Sequence, residues 1–165
     1  MCIRDRVGIT WHPLFGAVMP DVLNLSTGAP FQPFNRSPQI RYQYKANSRV
    51  QLTASVLWQL QYLSSGPKGM SEDYIKNSCI PEMFVGADFT PADGWLMGLG
   101  AHMISLKPRT STEWKEQTFK VNERMTAFSY EAHLKYSGRN YTFAAKTLMA
   151  SALDHTCLLY TSDAA

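Results

Sequence analysis

Four histidines, His12, His102, His133 and His155, and one internal cysteine, Cys79, are the side chains best suited to chemistry. A hydrolase would need a serine or comparable nucleophile with a base beside it. The histidines fall on different stretches, and no nucleophile and acid recur at a fixed spacing around them. No phosphate-cradling glycine loop appears, and no pair of metal ligands stands at a useful spacing. Cys79 alone supports neither a disulfide framework nor a thiolate metal site, and reads as an incidental loop residue. The polar residues instead share a rhythm. Arg41, Lys45, Arg49, His102, Glu131, Lys135 and Lys146 all lie on the polar side of alternating stretches. Charges placed that way line a wall, and lining charges set ionic preference.

The elements that would carry them are strands. In 49–63, RVQLTASVLWQLQYL, the even positions from Val50 to Tyr62 are apolar or aromatic and the odd ones mostly polar; Leu57 and Leu63 depart. Successive strand side chains point to opposite faces, so this is one long strand with a greasy and a wet face. The texture recurs at 39–46, 82–89 (with Phe84 out of pattern), 95–103, 125–136 and 141–150. Adding 7–12 gives an all-β chain of about seven strands, with no helix expected. Short connections at 47–48, 91–94 and 137–140 carry turn chemistry and alternate with long ones at 13–38, 64–80 and 105–122. Short turns at one end and long loops at the other describe an antiparallel transmembrane β-barrel.

The aromatics fit that description. Tyr44, Phe89, Trp95, Tyr136 and Tyr141 all lie on the apolar face beside a short turn, as a girdle at one membrane interface would. On the wet face, Arg41, Ser55, Gly86, Gly100, His102, Glu131 and Lys146 fall near mid-strand and suit a water-filled lumen. Basic side chains outnumber acidic ones there, which leans the lumen toward anionic or polar small solutes; mutual pairing across the wall would cancel that field. The connection 13–38 is unusually apolar for a loop, with Phe15, Val18, Met19, Val22, Leu23, Leu25, Phe31 and Phe34. It is expected to fold into the lumen, where irregular backbone at membrane depth is tolerated. The hydrophilic loop at 107–122 is expected to face outside.

Composition removes other classes. Lys and Arg exceed Asp and Glu by 16 to 13, a net +3 that is dispersed, unlike the basic stripe of a nucleic-acid binder. No apolar run approaches the ~18 residues of a membrane-spanning helix. The two ends read as foreign text. MCIRD at 1–5 looks like a translated transposon-end adapter of the kind used in sequencing libraries, and CLLYTSDAA at 157–165 like its reverse strand. With Arg6 as the junction, 1–6 and 157–165 are adapter-derived and 7–156 is expected to be an internal piece of a barrel domain, an open curved sheet. Setting the ends aside removes two residues of each charge and leaves the net at +3.

Several stretches resemble the DcaP-like outer-membrane porins: TWHPLF (10–15), STGAPFQPFNRSPQIRYQY (26–44), YLSSGP (62–67), SLKPRT (105–110) and KTLMASALDHT (146–156). The resemblance covers essentially all of 7–156. It implies a sixteen-stranded homotrimeric porin of the Gram-negative outer membrane, in contact with outer-membrane lipid. It also implies a loop folded into the channel, no cofactor, and passive passage of small, often anionic solutes. It places Arg36 and Arg41 where the inward loop meets the wall, and Lys107 and Arg109 at the mouth or lumen. Two alternatives stand beside it. A soluble lipocalin-like barrel would carry apolar residues inside and polar ones outside. An outer-membrane barrel enzyme would need the nucleophile and base sought above.

Overall fold

The computed structural model describes residues 2–15, 36–58, 64–66, 69–114 and 117–151. In chain order the elements are β1 (Cys2–Trp11), a 3-10 turn (Pro13–Phe15), β2 (Arg36–Lys45), β3 (Val50–Leu57), β4 (Ser64–Gly66), β5 (Gly69–Ser71), α1 (Asp73–Ser78), β6 (Glu82–Phe89), β7 (Trp95–Leu106), β8 (Ser111–Trp114), β9 (Gln117–Lys120), β10 (Met125–Ser137) and β11 (Thr142–Met149). Seven of these strands form one antiparallel sheet in the order β1-β2-β3-β6-β7-β10-β11. Each long strand pairs with the next long strand along the chain, so the sheet is an up-and-down meander, open at β1 and β11. β4-β5 and β8-β9 are two small hairpins set inside the long connections.

The tight ends follow from local chemistry. Asn47 Oδ1 accepts the backbone N–H of both Arg49 and Val50, each at 2.8 Å, which closes the β2–β3 turn. Gly94, at φ +81°, closes the β6–β7 turn; a Cβ there would sit 2.5 Å from the Ser137 carbonyl oxygen. The Gly138 N–H donates to Tyr141 O at 2.8 Å in the β10–β11 turn. All three short turns lie at one end of the sheet, and the long connections leave from the other.

The sheet curls toward its polar face. Leu14, three residues past the end of β1, belongs to a cluster with Leu57 of β3 and Phe84 of β6, and Leu148 of β11 packs against it. Lys146 Nζ of β11 donates to the Leu14 carbonyl oxygen. A flat sheet of seven strands would put β1 and β11 ~28 Å apart at the strand spacing of ~4.7 Å. Three residues reach only ~10 Å, so the two edges must approach each other through curvature.

The two faces differ in kind. Outward lie Ile40, Val85, Leu99, Phe128 and Tyr130, all more than half exposed, with Leu99 at 67%. Inward lie Ser37, Gln39, Ser55, Glu82, His102, Ser129, Glu131 and His133, none above 6% exposed. The apolar face is the open one and the polar face is the covered one.

Several expected boundaries shift. β1 begins at Cys2 rather than at residue 7, and its first residues pair with the end of β2, Cys2 opposite Lys45. β2 begins at Arg36 rather than 39. Alternation continues through Pro38, whose carbonyl accepts the Trp58 N–H at 2.9 Å. β7 runs on to Leu106, and β3 stops at Leu57, with 59–63 outside the described residues. The expectation of no helix is corrected by α1, which ends at Cys79 in the left-handed conformation, φ +53°. Tyr74 and Ile75 of α1 are buried against Ile104, Leu106 and Ala127, an apolar cap where β7 leaves the sheet. The long connections at 64–80 and 105–122 are likewise not plain loops but carry β4-β5, α1 and β8-β9.

Candidate functional site: the polar face

Alternation and register bring the polar side chains of six strands onto one concave surface. On β2 and β3 the basic residues gather. Arg41 Nε and Nη2 donate to Gln39 Oε1 at 3.1 and 2.8 Å, and Nη2 also reaches the Trp11 carbonyl at 2.5 Å. Gln39 is itself held by donating to the Thr10 and Trp11 carbonyls at 2.9 and 3.0 Å. Among the described residues, all the acceptors that Arg41 reaches are uncharged, so its positive charge is oriented but not neutralised by them. Arg41, Lys45, Arg49, Thr53, Asp88 and Glu131 line a recess of about 330 Å³ toward the short-turn end.

On β6, β7, β10 and β11 the carboxylates are compensated. Glu131 lies 3.1 Å from Lys146 Nζ and 3.7 Å from His133 Nδ1. His133 Nε2 faces Asp88 Oδ1 at 3.2 Å. Glycines make this packing possible. A Cβ on Gly98 would collide with the His133 ring, and one on Gly100 would sit 2.8 Å from Glu131. At the long-loop end, Glu82 Oε2 lies 3.4 Å from His12 Nε2 and 3.2 Å from His102 Nε2, with all three residues at most 2% exposed. The two rings meet edge to face at 5.1 Å. This trio is the one grouping among the described residues with the donor types and spacing of a metal site.

The charges are therefore segregated. Among the described residues each of Glu82, Asp88 and Glu131 has a histidine or lysine within 4 Å, whereas Arg41, Lys45, Arg49 and Lys135 have no carboxylate partner. Coulomb fields of paired charges cancel over a few ångströms; those of the cations with no carboxylate partner among the described residues, Arg41 held in place by its hydrogen bonds, persist into the concavity. The arrangement can attract and hold anions along the β2–β3 side.

The sequence-derived residues fall as follows. Arg41, His102, Glu131, Lys135 and Lys146 share the polar face by register, and Lys45 and Arg49 flank the first short turn. Arg36 pairs its backbone with Trp11 at the other end; its side chain lies outside the described residues. Lys107 follows β7 and donates to Asn122 Oδ1 at 3.0 Å, and Arg109 is exposed beyond it, away from the cluster of wall charges. Tyr44, Phe89, Trp95, Tyr136 and Tyr141 all sit on the outer side near the short turns. The Trp95–Tyr136 and Tyr136–Tyr141 rings are in contact at 4.8 and 5.7 Å. Of the connection 13–38, residues 16–35 lie outside the described residues, as do His155 and 157–165. Its start, His12 to Leu14, is fully or almost fully buried on the polar face.

Sequence spacing missed His12, Asp88 and His133 as parts of clusters. Their parity placed Asp88 and His133 on the wet face, but which residues face across strands depends on register. Two departures from alternation did mark a place. Leu57 and Phe84, apolar on a polar face, are where Leu14 lands. No family model matches the chain, and no curated protein or solved structure matches it.

Proposed function

We propose that the chain is part of the wall of an outer-membrane β-barrel channel through which small polar, preferentially anionic solutes diffuse passively. The observation that carries this reading is the inverted sheet, apolar on its open outer face and polar on its covered concave face. In water, exposing Ile40, Val85, Leu99, Phe128 and Tyr130 together is unfavourable at about 25 cal/mol per Å². Against lipid tails that cost disappears. A lipocalin-like soluble barrel needs the reverse distribution, and the buried Glu82, His102, Glu131 and His133 on the inner face of β6, β7 and β10 would ruin an apolar ligand cavity.

The unpaired cations Arg41, Lys45 and Arg49 supply the anion preference, with the compensated carboxylates adding little opposing field. The start of the connection 13–38, packed on the inner face through Leu14, supports its role as a constriction. The outer aromatics near the short turns suit an interface girdle. The resemblance to DcaP-like porins adds the trimer and the outer-membrane location to the proposal.

Reversal potentials of single channels under a salt gradient test it. The wild-type barrel should favour anions, and Arg41→Gln should move the reversal potential toward zero. Stable membrane insertion with no conductance, or a cation preference, would refute the proposal.

A further inference from the structure

We propose that His12, Glu82 and His102 form a binding site for a divalent transition-metal ion of the zinc type, which pins the start of the long connection 13–38 to the inner face of the sheet. This goes beyond the channel reading and does not depend on it. Two imidazoles and a carboxylate are a donor set that zinc accepts, with a fourth position left for water. The spacing fits as well as the chemistry. Bonds of 2.0–2.1 Å arranged tetrahedrally put neighbouring donor atoms ~3.3 Å apart. Here Glu82 Oε2 stands 3.4 Å from His12 Nε2 and 3.2 Å from His102 Nε2. All three ligand atoms lie within 4.8 Å of one another.

A second observation lies behind His102. Its Nδ1 is fully buried and has no partner among the described residues. Ser129 is directly opposite His102 in the β7–β10 register, and its buried hydroxyl also has none among them. A ligating histidine uses its other ring nitrogen to donate to a nearby acceptor, and rotation of the Ser129 side chain offers one. The ligands come from just past the end of β1, the start of β6 and the middle of β7, so an ion there joins the β6–β7 hairpin to a residue 70 positions before Glu82 in the chain.

His12 makes the site a coupling point. The Leu14 N–H donates to His12 Nδ1 at 3.2 Å, which leaves the ring proton of the neutral imidazole on Nε2, toward Glu82. Metal coordination through Nε2 moves that proton to Nδ1. The Leu14 amide must then give up its contact. Occupancy is thereby linked to the path of the chain as it turns onto the inner face.

The test uses the full chain in detergent micelles with Cys2, Cys79 and Cys157 replaced by serine, which removes thiolates as competing ligands. Co²⁺ is titrated as the spectroscopic probe and Zn²⁺ as competitor. The expected result is the intense visible absorption of low-coordinate Co²⁺, saturating at one ion per chain and abolished by Zn²⁺. Glu82→Gln and His102→Gln should each weaken binding by about 100-fold or more, since even outer-shell changes cost 10–100-fold. Circular dichroism reports whether each variant keeps its strands. His12→Gln, beyond the end of β1, gives the same reading if a wall variant fails to fold. Absence of that absorption at millimolar Co²⁺, or its persistence in all three variants, would overturn the proposal.

Discussion

Placing an arginine at Leu99 separates a lipid-facing sheet from a water-facing one. Leu99 is in the middle of β7 on the apolar face, 67% exposed, and pairs with Ala87 on one side and Ala132 on the other. Small neighbours leave the new side chain room, so a steric cost is minor. If the face meets lipid, a charge at mid-strand costs ~2–4 kcal/mol, falling to ~0–1 kcal/mol near the interface. If the face meets water, an exposed leucine-to-arginine change stays within about 0.5 kcal/mol. Val50→Arg, at the short-turn end of the same face, is the internal depth control. Urea unfolding in phospholipid vesicles, followed by tryptophan fluorescence, measures both. The expected order is a loss of ~2–4 kcal/mol for Leu99→Arg and ~0–1 kcal/mol for Val50→Arg. Equal effects, or a Leu99→Arg variant as stable as wild type, would refute the reasoning from the inverted faces.

Three further outcomes follow from the inner face. Leu14→Ala empties a fully buried site between Leu57 and Phe84 and should cost ~2–5 kcal/mol, with faster protease cleavage in 13–38; unchanged cleavage would mean that Leu14 does not anchor the connection. Gly98→Ala drives a methyl group into the His133 ring and to 2.6 Å from Asp88 Oδ1 and should cost ~1–3 kcal/mol in urea unfolding, whereas a neutral effect would show that the His133–Asp88 contact is loose. Glu131→Gln removes the carboxylate between His133 and Lys146 and should shift single-channel reversal potentials further toward anions. No shift would take that pair out of the selectivity argument.

The long alternating stretches made the seven-strand antiparallel sheet legible, because side-chain direction repeats every two residues and one face is predominantly apolar. The same alternation put Arg41, His102, Glu131 and Lys146 on one surface. Cross-strand partners were not legible. His133 meets Asp88 and Glu82 meets His102 only once register fixes which residues lie opposite or diagonal. α1 escaped because six residues give less than two turns of periodicity, too little to stand out from a polar connection. Leu57 and Phe84 were visible as exceptions, but their reason, a landing site for Leu14, is a contact with a residue about 43 to 70 positions away.

The most direct test of the central claim is nitroxide scanning along β3 in lipid vesicles, one label at a time from 50 to 57 in a cysteine-free background. Collision with oxygen reports lipid, and collision with a water-soluble relaxation agent reports the lumen. The account predicts that labels at 52, 54 and 56 favour oxygen and that labels at 51, 53 and 55 favour the water-soluble agent, with a period of two. A reversed pattern, or uniform access to water at every position, would contradict it.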